Sequence, residues 1–442
     1  MDKLKFEVND SIIRIVGVFE SKKHLKLANE LLKFGYSKEQ LTDDSKKFYK
    51  DYWYPEFRDL LFFKENETSS TILVKDFNQS LNFIKSQDEF ENPIYTVPAE
   101  IGKVELILFP NSLHFFSIEL IPSKNNLEQI GDLIFCAREF NKEILVENTK
   151  CTWVNWIETN CLNGIKITSD DLNDVIHTDG FSGSKFKLFT LVDFVEIDEL
   201  KDSHVRDELL YDLGCVTKIN TAGGDLSFTP SNSYFNHLLN DRISVFNNFT
   251  ILPLFDTFTV VGYNLLNDDD RRFKLKTWTE TYFRIYLYNL FIKYNLYRYN
   301  LDMNEDSLKV RDAFESFLNT YQVSHISYNF LPNLIFHKHR KSLQIEDELK
   351  KFQERINRIS QAIQEDQQKR SNLYLGIVGA ITSISSISPV LNVLESTRIK
   401  LNLNSALFYS LSILIAVSIA ISVLMYLFPE KKKQVLRKWK KR

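Results

Sequence analysis

The chain has 442 residues, with 55 Lys+Arg against 58 Asp+Glu, and 44% of its residues are hydrophobic. That balance excludes global disorder, and the 13 glycines argue against Gly-rich phosphate loops. The four cysteines, at 136, 151, 161 and 215, show no CxxC spacing, so they read as reduced core thiols rather than a zinc knuckle or a disulfide framework.

Residues 1–265 read as an α/β sensor domain placed in the cytoplasm. Residues 11–20 (SIIRIVGVFE) are β-rich, 24–34 helical and 71–75 a short strand. Two apolar runs, 104–109 and 113–121, flank Pro110-Asn111-Ser112 and predict a hairpin. Leu127, Ile130, Ile134 and Ala137 fall at helical spacing within 127–140. Residues 186–197 and 243–263 return to a β pattern. Strands alternating with helices predict α/β layers.

Candidate chemistry in this region is sparse. Residues 193–212 are locally acidic, which fits a solvated helix face or an oxygen-ligand site for Mg²⁺ or Ca²⁺. Thr221, Gly223, Gly224 and Asp225 form a polar loop, either a ligand loop or an ordinary connection. No GxGxxG, P-loop or GxSxG run is present, so no catalytic residue is assigned and an enzyme is not expected. His337 and His339 are two apart, which points their rings to different helix faces rather than to one metal.

Residues 266–340 read as helical. Asp268, Asp269 and Asp270 supply negative charge near a helix start. The following helix, about 273–298, is crowded with Trp278, Tyr282, Phe283, Tyr286, Tyr288, Phe291, Tyr294 and Tyr297. A second helix is expected near 307–322, and Pro332 breaks the pattern.

Residues 341–394 carry the most informative pattern. Ile345, Leu349, Phe352, Ile356, Ile359 and Ile363 follow alternating steps of four and three, an a/d heptad seam. The phase passes Asp366 and Arg370 and resumes at Leu373, Ile377, Ala380, Ile384, Ile387, Leu391 and Leu394. One continuous stalk helix is expected, with its stripe covered by other helices of the chain or by identical chains. Asp366 and Arg370 are candidates for stalk charge rings, or for a simple surface pair.

Residues 373–394 and 406–428 carry no charge. Each is long enough for a span of roughly 20 helical residues. Residues 395–405 form an expected external loop. The tail 429–442 holds eight Lys/Arg and one Glu, which predicts both termini on the cytoplasmic side of the inner (plasma) membrane. The lipid bilayer is then a partner, and nucleic acid is not expected as one. If the first span lines a pore, Ile377, Thr382, Ile384, Ser385, Leu391 and Asn392 are its candidate lining residues.

This order of parts resembles the CorA family of magnesium transporters. The likeness rests on an acidic α/β domain, a helical region, a long helix entering a first span, a short loop, a second span and the tail KKKQVLRKWKKR. The family's Gly-Met-Asn is absent; Ser388-Pro389-Val390-Leu391-Asn392-Val393-Leu394 stands at that place, with Asn392 the sole counterpart. The resemblance implies a homopentamer. Its branch associated with type III CRISPR systems implies an antiviral ion channel gated by a nucleotide messenger made from S-adenosylmethionine and ATP. The alternatives are a constitutive Mg²⁺-type divalent-cation transporter and a non-conducting membrane-anchored adaptor. The implied cofactor is a divalent cation or that nucleotide.

Overall fold

The computed structural model describes residues 6–21, 24–63, 70–85, 95–147, 149–167, 185–224, 229–266, 271–302 and 307–401. The chain divides into two compact units, Met1–Lys351 and Phe352–Arg442.

The first unit is built on one mixed sheet. Its strands are β1 (Val8–Glu20), β2 (Ser37–Lys38), β3 (Thr71–Lys85), β4 (Tyr95–Leu108), β5 (Leu113–Pro122), β6 (Glu143–Val146), β7 (Thr149–Thr152), β8 (Lys187–Phe194), β9 (Ile243–Phe246), β10 (Phe249–Pro253) and β11 (Thr257–Tyr263). Their order is β7-β6-β3-β4-β5-β1-β8-β11-β10-β9, with β2 added beside β3. The β8–β11 pair is parallel. β1 runs antiparallel to both of its neighbours. The hairpin foreseen around Pro110 joins β4 to β5.

Alternation along the strands sends side chains to two faces, and both are covered. On one face Ile13, Ile15, Val104, Leu106, Phe116 and Leu188 share a core with helices α1 (His24–Lys33), α4 (Leu127–Ala137) and α5 (Trp153–Asn160). Two further helices join that core, α7 (Ser203–Gly214) and α8 (Asn232–Leu239). Short helices α2 (Asp43–Tyr52), α3 (Pro55–Arg58) and α6 (Asp198–Lys201) complete the N-terminal set. α4 starts where Asn126 caps it, its side chain accepting from the Gln129 N–H.

The opposite face is covered by helices from the predicted helical region. α9 (Arg271–Lys276) passes through a π-helical turn, Thr277–Tyr282, into α10 (Phe283–Asp302). Phe109, just past the end of β4, stacks on Phe291 at 3.9 Å, Phe115 of β5 meets Tyr294 at 5.6 Å, and Phe258 of β11 meets Tyr286 at 5.7 Å. α11 (Ser307–Tyr321) and α12 (Phe330–Ser342) lie over α10. Every residue from Phe283 through Leu296 is buried, as a helix enclosed on all sides requires. The aromatic crowding thus serves packing between sheet and helices.

α13 (Ile345–Leu401) is one helix of 57 residues. It begins after Gln344, which holds a positive φ of 55°. Its first seven residues belong to the first unit and its remainder to the second. Ile345, Leu349, Phe352 and Ile356 of the seam are buried, and Ile359 and Ile363 are half-buried.

The membrane expectation is corrected here. Residues 373–394 are helical, but within α13, which continues through Glu395, Arg398 and Lys400 to Leu401. Among the described residues no helix is long and apolar enough to cross a membrane. Thr382, Ser383, Ser385, Ser386, Ser388 and Asn392 interrupt the apolar run. Residues 406–428 and the basic tail 429–442 lie outside the described residues. The CorA-like class with two C-terminal transmembrane helices gives way to a mixed sheet of eleven strands layered with helices.

Candidate functional site

The most unusual chemistry lies between the sheet and α10. Arg14 sits in the middle of β1 and Glu105 in β4, both pointing toward the helical layer. Arg14 Nη1 stands 3.3 Å from Glu105 Oε1, and its guanidinium carbon is 4.7 Å from the centre of the Phe283 ring. Arg284, the second residue of α10, reaches Glu105 Oε2 at 3.2 Å and Glu39 Oε2 at 3.4 Å. Lys103 contacts Glu105 Oε1 at 2.9 Å. At the rim, Tyr49 donates to Glu280 Oε2 at 2.5 Å, and Lys276 stands 3.6 Å from the same oxygen.

Burial sets the electrostatics. Arg14, Glu105 and Arg284 are each no more than 3% exposed. Burial pushes the Glu105 carboxyl up, but Arg284, Arg14 and Lys103 outweigh it and hold the group well below the usual carboxylate range. Glu39 moves the other way: burial raises it, and Arg284 only partly offsets that. Two carboxylates against one guanidinium are therefore driven apart. Nε and Nη1 of both arginines lack a hydrogen-bond partner among the described residues.

A second cluster joins the sheet to the root of α13. Lys187 at the start of β8 pairs with Asp256 at 2.5 Å and lies 3.9 Å from the Phe255 ring centre. Lys293 of α10 lies 5.4 Å from the same ring and donates to Glu348 of α13 at 2.5 Å. His339 of α12 is fully buried and stacks on Tyr286 at 5.0 Å, with Asn289 Nδ2 3.2 Å from its Nδ1. Burial, then the charge of Lys187, lowers His339 to about 3, so it is a neutral ring in the fold.

The residues singled out from the sequence take other places. Thr221 and Ala222 turn their N–H groups to Asp212, at 3.1 and 2.9 Å, so these loop donors are already taken inside the fold. Gly223 and Gly224 follow in the same turn, and Asp225 lies outside the described residues. The acidic run is consumed by local roles. Asp193 accepts the Leu265 and Leu266 N–H groups, Asp202 caps α7, and Asp207 pairs with Arg242 at 3.3 Å. Among the described residues no group of three or more His, Cys, Asp or Glu could hold a metal ion. Asp268, Asp269 and Asp270 lie outside the described residues.

On α13, Asp366 and Arg370 form an intrachain pair at 3.0 Å with both side chains exposed. Of the pore-lining candidates, Ile377, Thr382 and Asn392 are exposed, and the Thr382 hydroxyl donates to the Val378 and Gly379 carbonyls. The side chains of Ile384, Ser385 and Leu391 lie outside the described residues. With no spanning helix among the described residues, the readings that need one are overturned. These are the ligand-gated ion channel, the Mg²⁺-type transporter, the membrane-anchored adaptor and the inner-membrane location.

No family model, no curated protein and no solved structure matches the chain. No family evidence supports the CorA, magnesium or CRISPR reading.

Sequence reasoning missed the Arg14–Glu105–Arg284 cluster. Arg14 interrupts SIIRIVG as an outward-facing polar residue of a half-solvated strand would. The missed signal was the aromatic helix, which is long and apolar enough to cover that second face.

Proposed function

We propose that this chain is a self-assembling protein, an α/β body that joins identical copies through α13. One observation carries the reading. Past Ile356 the buried seam gives way to half-buried Ile359 and Ile363 and then to exposed apolar side chains on and beside the seam, with Tyr374 66%, Leu375 67% and Val378 57% exposed beside it in the single chain. Leu373, Ile377 and Val393 add to them. Such a surface requires a cover.

The heptad phase supports a second copy as that cover. The same a/d steps run from Ile345 to Leu394, and a sustained heptad is how helices recognise like helices lengthwise. Asp366 and Arg370 interrupt the seam at two successive positions, and polar layers in an apolar seam set register. Apolar residues on several sides of α13 favour more than one neighbouring helix.

The test is the mass of the full chain in solution, compared with an Ile377→Glu/Val378→Glu variant. Both positions are exposed in the single chain, so the change leaves the folded body intact. Self-assembly predicts an oligomer for the parent chain and a monomer for the variant. A parent chain that is monomeric at micromolar concentration overturns the reading.

A further inference from the structure

Two exposed histidines meet at the start of α12. His325 lies in the loop before that helix and His337 on the helix itself. Their ring centres are 6.1 Å apart and the ring planes cross at 85°. Neither ring makes a hydrogen bond or an ion pair among the described residues.

Both rings stand on fixed backbone. His337 follows Ile335 and Phe336, which are fully buried and anchor its helix. The loop of His325 is pinned from two sides. Asn333 Oδ1 accepts from the Ile326 and Ser327 N–H groups at 3.0 and 3.3 Å. The Tyr54 N–H donates to the Ile326 carbonyl at 2.9 Å, and the Tyr328 N–H to the Tyr52 carbonyl at 3.2 Å. His325 is therefore placed by its neighbours and its ring is left for another partner. A site on fixed elements holds its ligands more precisely than one on a loose loop.

We infer that His325 and His337 together chelate one divalent transition-metal ion of the zinc, nickel or copper class. Imidazole nitrogen suits those ions, whereas Mg²⁺ and Ca²⁺ take oxygen ligands. With nitrogen–metal bonds of about 2.0–2.1 Å and a tetrahedral angle, two such rings sit roughly 5 Å apart centre to centre. The rings at 6.1 Å close that gap by turning about their exposed side-chain bonds. Burial, then the charges of Arg340 and His325, lowers His337 below its ordinary value. Its ring is thus neutral at neutral pH, with a nitrogen lone pair to give. Arg340 is itself paired with Glu346 at 2.7 Å, which offsets the nearest fixed cation. Water completes the coordination shell. Neither histidine lies on α13, so the inference stands apart from assembly through that helix.

The experiment is calorimetric titration of the full chain, free of any affinity tag, with Ni²⁺ and with Zn²⁺. One ion per chain is expected. His325→Ala and His337→Ala should each weaken binding about tenfold or more, because either change turns a chelate into a single imidazole. His237→Ala, an exposed histidine elsewhere, should leave it unchanged. Cu²⁺ paramagnetic resonance should show two coupled imidazole nitrogens in the parent chain and one in either variant. No binding at 1:1, or variants that each keep the parent affinity, overturns the inference.

Discussion

Lys293 and Glu348 tie the middle of α10 to the first turn of α13, with Nζ 2.5 Å from Oε1. Lys293 is 4% exposed on its side chain and Glu348 31%, so the ammonium bears most of the burial. Removing one partner of a buried pair leaves the other uncompensated. Glu348→Ala should therefore lower stability by about 2 kcal/mol, a figure reduced by the partial exposure of Glu348. A Lys293→Met/Glu348→Leu double variant should recover part of that loss. Urea unfolding midpoints at constant m-value check both.

His339 predicts an acid-sensitive fold. Its folded-state value of about 3 lies below the ordinary 6.5 because burial, and then Lys187, disfavour the charged ring. The unfolded chain then binds more protons between those values, so this stability is full above about pH 6.5 and lost as pH falls toward about 3. His339→Phe keeps a ring against Tyr286 and removes the proton site. Its unfolding free energy should fall less steeply with acidification than that of the parent chain.

Asp212 predicts the opposite slope. Burial raises its carboxyl from 3.8 to about 6, and hydrogen bonds from Ala222, Asn220, Thr217 and Thr221 offset only part of that. A raised folded-state value gives stability that is present below the unfolded value and lost as pH rises through the folded one. Asp212→Asn should remove the decline between about pH 4 and about pH 6. It should also lower stability overall, since Thr221 and Ala222 donate to different carboxylate oxygens and the amide nitrogen that replaces one of them accepts nothing. Unfolding titrations across that range separate the two effects.

Gly262 of β11 allows a close backbone approach. A Cβ there would meet the Asn248 carbonyl oxygen at 2.4 Å and Phe249 Cβ at 2.7 Å. Backbone cannot swing aside as a side-chain tip can, so Gly262→Ala should lower stability by at least about 2 kcal/mol. Thermal melting of the purified variant measures it. Gly224 differs, since its positive φ of 86° sets its requirement and a Cβ would lie 4.0 Å from Thr229 Oγ1.

Much of the fold was legible in local pattern. The β4–β5 turn followed from Pro110-Asn111-Ser112, and the aromatic helix and the heptad of α13 followed from their spacing. These features depend on neighbours within one or two turns. The Arg14–Glu105–Arg284 cluster was not legible, because its members lie far apart in sequence and meet only when β1, β4 and α10 pack. The membrane reading failed for a related reason. An uncharged run shows what a segment omits, whereas a span also depends on how many hydroxyls and amides it contains and on where its helix ends. Residues 373–394 hold five Ser/Thr and Asn392, and their helix carries on into Glu395, Arg398 and Lys400.

Sedimentation equilibrium of the full chain and of Ile377→Glu/Val378→Glu is the most direct test of assembly through α13. The prediction is a parent chain at a multiple of the 51.9 kDa protomer mass and a variant at that mass with unchanged circular dichroism. A monomeric parent chain, or an oligomer that survives both glutamates, would contradict it.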